Sequence, residues 1–341
     1  MEKYFLTSGE IYLDSAATSV KSVEMARKYA ENLVKYGFNP MSSHISLGFM
    51  KESLDKSRER LLDYFNLSPL DFSVIYCSGA TEALNVIIKG LFFSSGKRRI
   101  VTSELEHKAV LETVQYLETL GAEVVYVPHN DEGVIQTSAI DKMLNDDTLC
   151  VVLMHVNNET GEINDVEEVS ALCSKYKVPF ICDTTQSVGK EVINFSKFDA
   201  FVGSAHKFGA PFGTGFIIKR RTIHIEKIFH GGSQEASYRP GTHNLPGIMT
   251  MIECLEDGYK TPDTSFKNFI FSELGFKLED RIGKNTSPLI YAFRVDDVDA
   301  FIQAHPRFII GRGSACNSGL IQPSHVYSKL GYDRNVIRIS F

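Results

Sequence analysis

The stretch GSAHKFGAP (Gly203–Pro211) sets a histidine beside a lysine among small residues, directly after the apolar run Ala200-Phe201-Val202. An isolated His-Lys pair is most simply a basic surface loop. At the end of a buried strand, however, an amine is desolvated, loses basicity and becomes a nucleophile able to form a Schiff base with a carbonyl. A second chemical demand comes from CDTTQSVG, where Asp183 follows a short apolar run and Cys182. An unpaired carboxylate at the edge of a core is costly, so Asp183 calls for a cationic partner. Gln186, three residues further on, reaches the same space. In SGATEALN, Gly79, Ala80 and Thr81 stand immediately before a helical pattern. Exposed backbone N–H groups at the positive end of a helix, with a hydroxyl beside them, make an anion site; the plainer reading is a glycine turn with a threonine cap. His107, in SELEHKAV, falls at a helix start, and Asn157 and Asn158, in NNETG, offer amides where a turn is the simpler explanation.

Such groups work together only if the fold gathers them. From Ser73 to about Lys219, short β-branched runs alternate with helical patterns, the signature of βαβ units and a parallel sheet. The candidate strands are 73–77, 99–102, 123–127, 149–155, 178–182, 200–203 and 215–219, with helices at 82–93, 108–120 and 166–176. Before them, Leu47, Met50, Leu54, Leu61, Leu62 and Phe65 recur at helical spacing, a stripe that reads as core packing. After Gly247 comes a helix-like segment, then a strand-helix-strand pattern at 289–295, 297–304 and 308–310, read as a smaller α/β domain. The expected division is a large domain over 12–247 and a small one over 248–341 together with 1–11. In open parallel sheets ligands bind beyond the carboxyl ends of the strands, and each group above follows such an end. An amine for an aldehyde, a carboxylate for a ring nitrogen and an anion site for a phosphate are the set that pyridoxal 5'-phosphate requires.

The totals restrict the alternatives. In 341 residues, Lys and Arg number 36 against 42 Asp and Glu, a net charge of -6 with no basic block, which argues against a nucleic-acid partner. No apolar stretch has the length of a membrane span, and MEKYFLTSGE carries no signal core, so a cytoplasmic protein without membrane association is expected. The six cysteines (Cys77, Cys150, Cys173, Cys182, Cys254 and Cys316) are scattered, four of them in or beside apolar runs, as in a reducing compartment. No zinc spacing occurs, and no metal is expected. Cys316 differs from the rest by lying in the glycine- and serine-rich GRGSACNSGL.

Nine motifs, taken in chain order, resemble the cysteine desulfurases of the class V aminotransferase group, of the subtype that supplies sulfur for iron-sulfur clusters. They are YLDSAAT (Tyr12–Thr18), NPMSSH (Asn39–His44), SGATEALN, EHKAVLET (Glu106–Thr113), MHVNNETGEI, CDTTQSVGK, SAHKFGAP, GSACNSG (Gly313–Gly319) and IRIS (Ile337–Ser340). The resemblance implies a fold type I pyridoxal-phosphate-dependent transferase: a large domain with a mainly parallel seven-stranded sheet flanked by helices, plus a smaller α/β C-terminal domain. It implies that Lys207 holds the cofactor covalently, Asp183 pairs with the ring nitrogen, Gln186 bonds the phenolic oxygen, and His107 stacks on the ring and moves protons. Gly79, Ala80, Thr81, Ser204 and His206 would bind the phosphate, with Thr242 of RPGT reaching a phosphate across the boundary of a homodimer. Asn158 and Arg338 would meet L-cysteine, Arg338 through its carboxylate. Cys316, on a loop, would take the sulfur as a persulfide for an acceptor protein, and alanine would leave. A transaminase, a selenocysteine lyase or a shortened homologue acting mainly as a persulfide carrier stays open as an alternative. Three departures stand out: Arg312 precedes GSAC, the 248–284 region is short, and the chain ends at Phe341 where the family continues through a helical segment that carries partner contacts.

Overall fold

The computed structural model describes residues 4–6, 8–312, 324–332 and 335–341. In chain order the elements are β1 (Ile11–Leu13), α1 (Val23–Tyr36), α2 (Gly48–Tyr64), β2 (Phe72–Cys77), α3 (Ala80–Ser94), β3 (Arg99–Ser103), α4 (Lys108–Glu118), β4 (Glu123–Val127), α5 (Thr137–Met143) and β5 (Thr148–Met154). They continue with α6 (Val166–Tyr176), β6 (Phe180–Asp183), β7 (Ala200–Ser204), β8 (Gly215–Arg220), α7 (Leu245–Glu256), α8 (Thr264–Glu273), β9 (Arg281–Ile282), β10 (Ile290–Arg294), α9 (Val298–Ala304), β11 (Phe308–Ile310), α10 (His325–Lys329) and β12 (Val336–Ser340).

Seven strands form the central sheet in the order β2-β8-β7-β6-β5-β3-β4. β8 runs antiparallel to both its neighbours and the other pairings are parallel. Its strands read as continuous apolar runs because helices cover both faces. Phe180, Cys182, Phe201, Phe216 and Ile218 point into the layer that holds α1, α2, α6 and α7. Their neighbours Ile181, Ala200, Val202 and Ile217 point into the layer of α3 and α4. That alternation follows from the two-residue period of a strand.

The helices begin where capping chemistry tells them to. Ser22 accepts from Met25 N at 3.0 Å to start α1, Asp165 accepts from Glu168 N to start α6, and the His107 ring does the same for α4. A smaller body packs β12-β10-β9, antiparallel throughout, beside the two-stranded parallel pair β1-β11. The strand-helix-strand read from the sequence is present as β10-α9-β11, but β10 and β11 lie in different sheets. β11 pairs with β1, nearly three hundred residues away in the chain, a register no local pattern encodes. The boundary drawn at 247/248 falls inside α7, whose Leu245, Ile248, Met251 and Ile252 share a core with the large sheet.

Candidate active site

β6 ends at Asp183, and β7, which pairs with it residue for residue up to Val202, runs on into a tight turn at Ala205–Phe208 that carries Lys207. Gly209 closes that turn at φ +88°, a left-handed conformation that suits glycine. The two side chains line one cavity of about 420 Å³, within the range of small-molecule sites. Gly79, Ala80, Thr81, His107, Asn158, Gln186, Ser204 and His206 line the same cavity. Ten sequence-derived candidates thus share one wall.

Each wall group has a distinct physical state. The Asp183 carboxylate is 6% exposed, accepts from Thr185 N at 2.9 Å, and forms no ion pair among the described residues. The Lys207 amine donates to the carbonyls of Ala16 and Ala17, at 2.7 and 2.9 Å. Gln186 Nε2 donates to that same Ala16 carbonyl at 2.9 Å. His107 Nδ1 accepts from Ala109 N, which leaves Nε2 as the protonated nitrogen of the neutral ring. His206 stacks on Phe212 with ring centroids 5.4 Å apart. Burial, followed by the charges of Lys207, Lys21 and Lys190, pulls its imidazole down to about 3, so it meets a ligand as a neutral hydrogen-bonding group. At the anion end, Gly79 precedes the 15-residue α3. Gly215 on β8 approaches so closely that a Cβ there would lie 2.6 Å from the Gly79 Cα. Glycines here bring the backbone close enough to surround a phosphate.

This arrangement fits pyridoxal phosphate. The buried Asp183 lacks a cation that a protonated pyridine nitrogen would supply, and the helix start with Thr81 and Ser204 lies on the same cavity as the amine. Three sequence-derived candidates stand elsewhere. Thr242 is exposed and off this wall. Arg338, 1% exposed on β12, is also off the wall; it donates to Asp14 Oδ1 at 2.7 Å and to the Asn158 carbonyl at 2.8 Å. Cys316 lies outside the described residues.

The structure also adds groups that sequence reasoning missed. Glu82 on α3 accepts from Ser78 N and from Arg239 Nε, at 2.6 and 3.0 Å, bracing the anion turn. Phe212, Thr185, Met154 and Val156 add to the wall. Glu106 is fully buried, accepts from Met154 N at 3.0 Å, and burial pushes its carboxyl well above the usual range. The glutamates sit inside SGATEALN and EHKAVLET and were legible as motif members; the apolar wall carried no chemical signal.

Residues 11–257 match the aminotransferase class-V family. A cysteine desulfurase IscS of Dictyoglomus turgidum is 31% identical over 339 residues, covering 94% of this chain and 86% of its own. The IscS of Pseudomonas putida W619 is 32% identical, covering 97% and 87%. Among solved structures, SspA in complex with cysteine superposes with a TM-score of 0.86 at 26% identity, covering 97% of this chain and 98% of that one. DndA from Streptomyces lividans superposes with a TM-score of 0.78 at 28% identity, covering 95% and 98%. The chain belongs to the class-V aminotransferase family of pyridoxal-phosphate-dependent enzymes. Within that family it is a cysteine desulfurase.

Proposed function

We propose that this enzyme takes sulfur from L-cysteine, releases L-alanine and keeps the sulfur as a persulfide on Cys316 until an acceptor protein removes it. The observation that carries this reading is the shared cavity of Lys207 and Asp183, with the anion turn at one end and His107 on the wall. When bound, the cofactor supplies an electron sink that makes the Cα proton of the amino acid acidic and the Cβ–S bond labile.

The chain's own groups divide the remaining work. Lys207 would anchor the cofactor, and its amine would take the Cα proton of the bound substrate and return one to carbon. Asp183 holds positive charge on the ring nitrogen. The 79–81 turn, Ser204 and the neutral His206 hold the phosphate. Gln186 bonds the ring oxygen, and His107 Nε2 controls the proton near the substrate sulfur. Asn158 lines the cavity, and Arg338 receives the substrate carboxylate by exchanging it for Asp14.

The thiolate of Cys316 attacks the substrate sulfur; a S–S bond forms, the Cβ–S bond breaks, and its electron pair takes up a proton at carbon. Elimination among the six cysteines favours Cys316. Burial pushes the thiols of Cys77, Cys173 and Cys182 well up, that of Cys150 to about 12 and that of Cys254 to about 11, and only thiolates are nucleophilic.

A homodimer completes the reading, with Thr242 reaching the partner's phosphate. Val23, Val34, Phe38, Ile45 and Phe49 form an exposed apolar stretch on and after α1 that a second copy would cover. No helix among the described residues is long and apolar enough to cross a membrane, in keeping with action in the cytoplasm, where iron-sulfur cluster assembly is the proposed destination of the sulfur. The test is incubation of the purified holoprotein with L-cysteine. Alanine should appear in step with one added sulfur atom on the Cys316 peptide. Alanine formation by Cys316→Ala at the wild-type rate defeats the reading.

A further inference from the structure

Two lysine amines are seated on one short turn. Lys207 Nζ takes the carbonyls of Ala16 and Ala17. Lys21 Nζ takes the carbonyl of Ser19 at 2.7 Å, the carbonyl of His206 at 3.1 Å and the Thr18 hydroxyl at 3.3 Å. The two turns are laced together further, since Ser19 N donates to the His206 carbonyl and Ser19 Oγ donates to the Lys207 carbonyl. The Phe212 ring lies 4.7 Å from Lys21 Nζ, a cation–π contact that also screens the amine from water. No carboxylate among the described residues forms an ion pair with Lys21.

We propose that Lys21 is a positioning residue for Lys207: it fastens the turn that carries the reactive amine to the turn that receives it, and it holds a positive charge beside that amine. The proposal rests on Lys207 being the cofactor anchor. Burial, with the charge of Lys207, pulls the Lys21 amine down to about 8; below that pH it is a cation next to Lys207 and disfavours a second positive charge on the Lys207 nitrogen, so that nitrogen releases its proton at lower pH and is ready to accept one from substrate. The groups facing Lys21 are Lys207 and His206 from the β7 turn, Cys254 from α7 and, through Ser19, the Tyr259 hydroxyl. Lys190 adds a further positive charge at His206. Among the described residues lining the cavity Asp183 is the one buried acid, and in this reading it serves the opposite end of the ligand.

The test is a spectroscopic pH titration of the holoprotein, following the visible band of the Lys207-linked cofactor from about pH 6 to about pH 10. Wild type is compared with Lys21→Met, Lys21→Gln and Lys21→Arg. Both neutral variants should move the midpoint up by about one pH unit, while Lys21→Arg keeps it. Glutamine can still donate to the Ser19 carbonyl, so it separates the charge from the clamp. If Lys21→Met loses cofactor while Lys21→Arg retains it, the clamp is supported and Lys21→Gln reads the charge. A wild-type midpoint in both neutral variants, a shift confined to Lys21→Met, or an equal shift in Lys21→Arg overturns the proposal. Alanine and persulfide formation by the wild type is scored separately, so failure of this inference is distinguishable from failure of the desulfurase reading.

Discussion

Asp183 and Lys207 leave the sheet at the same edge of neighbouring strands. The Asp183 Cα pairs with that of Val202, and the chain turns back at Ala205–Phe208 to aim the amine into the space the carboxylate borders. Acid and amine therefore border one cavity from neighbouring strands.

Asp183→Asn keeps the acceptor for Thr185 N and so should fold normally and bind cofactor. It should lose turnover on the order of a hundredfold or more, because charge on the ring nitrogen is no longer held. Lys207→Ala should lose the covalent visible band and about 10²–10⁴-fold in rate. Steady-state alanine release with parallel absorbance spectra checks both. Near-wild-type turnover by Asp183→Asn would remove the acid from the mechanism.

Iodoacetamide should discriminate sharply among the thiols. With its thiol at about 11, Cys254 is only about a thousandth ionised at pH 8, and its alkylation should rise roughly tenfold per pH unit up to that value. The four fully buried cysteines should not react while the protein is folded. Peptide mapping after a brief pulse at pH 8 should show label at Cys316 alone.

A third expectation concerns the segment between β8 and α7. Glu235, Ala236 and Ser237 all adopt positive φ, an uncommon run for residues with side chains. It is held by the Glu235 carboxylate, whose side chain is fully buried. That group accepts from Arg58 and His243, both at 2.6 Å, and from Tyr76 N at 2.9 Å. Glu235→Gln removes the charge that pairs with the half-buried Arg58, which keeps its second ion pair with Asp55, and should cost about 2 kcal/mol. Urea denaturation monitors this, and an unchanged midpoint would show that the run needs no anchor.

Acid stability follows from two histidines. Burial lowers His155 to about 4, and burial with three lysine charges lowers His206 to about 3. Both imidazoles stay neutral in the folded protein at pH values where they are protonated in the unfolded chain. The unfolded state therefore binds more protons, and this contribution to stability falls as the pH drops below about 6.5 toward about 4. His155→Gln, which can replace the contact with Ser187, should lose less stability over that window than wild type does. Melting curves at stepped pH provide the comparison.

Much of this architecture was legible because it is dictated by local periodicity. All seven strands of the large sheet were readable from their β-branched and apolar runs, which are continuous where a strand is covered on both faces and looser at the edge strand β4. The site was readable because its polar residues directly follow those runs. α1 was not, since its buried positions include Asn32, which reaches Thr250 and Glu253, while Val23 and Val34 face outward. Its buried face, Met25, Asn32 and Tyr36, carries a polar residue where a core stripe would carry an apolar one. β1, β9 and β12 are set by partners far off in the chain. The occupation of Arg338 by Asp14 could not be read from either residue's neighbours.

The turn that seats the Lys207 amine begins at Asp14, which is gripped by Arg338 from 324 positions downstream, and the strand before it lies against residues 308–310. A ribosome therefore delivers the lysine and the acid long before it delivers what holds the N-terminal turn in register. Nascent chains stalled ahead of residue 336 should be unable to capture the vitamin-derived ligand stably, which makes loading an event that follows synthesis of the strand carrying Arg338.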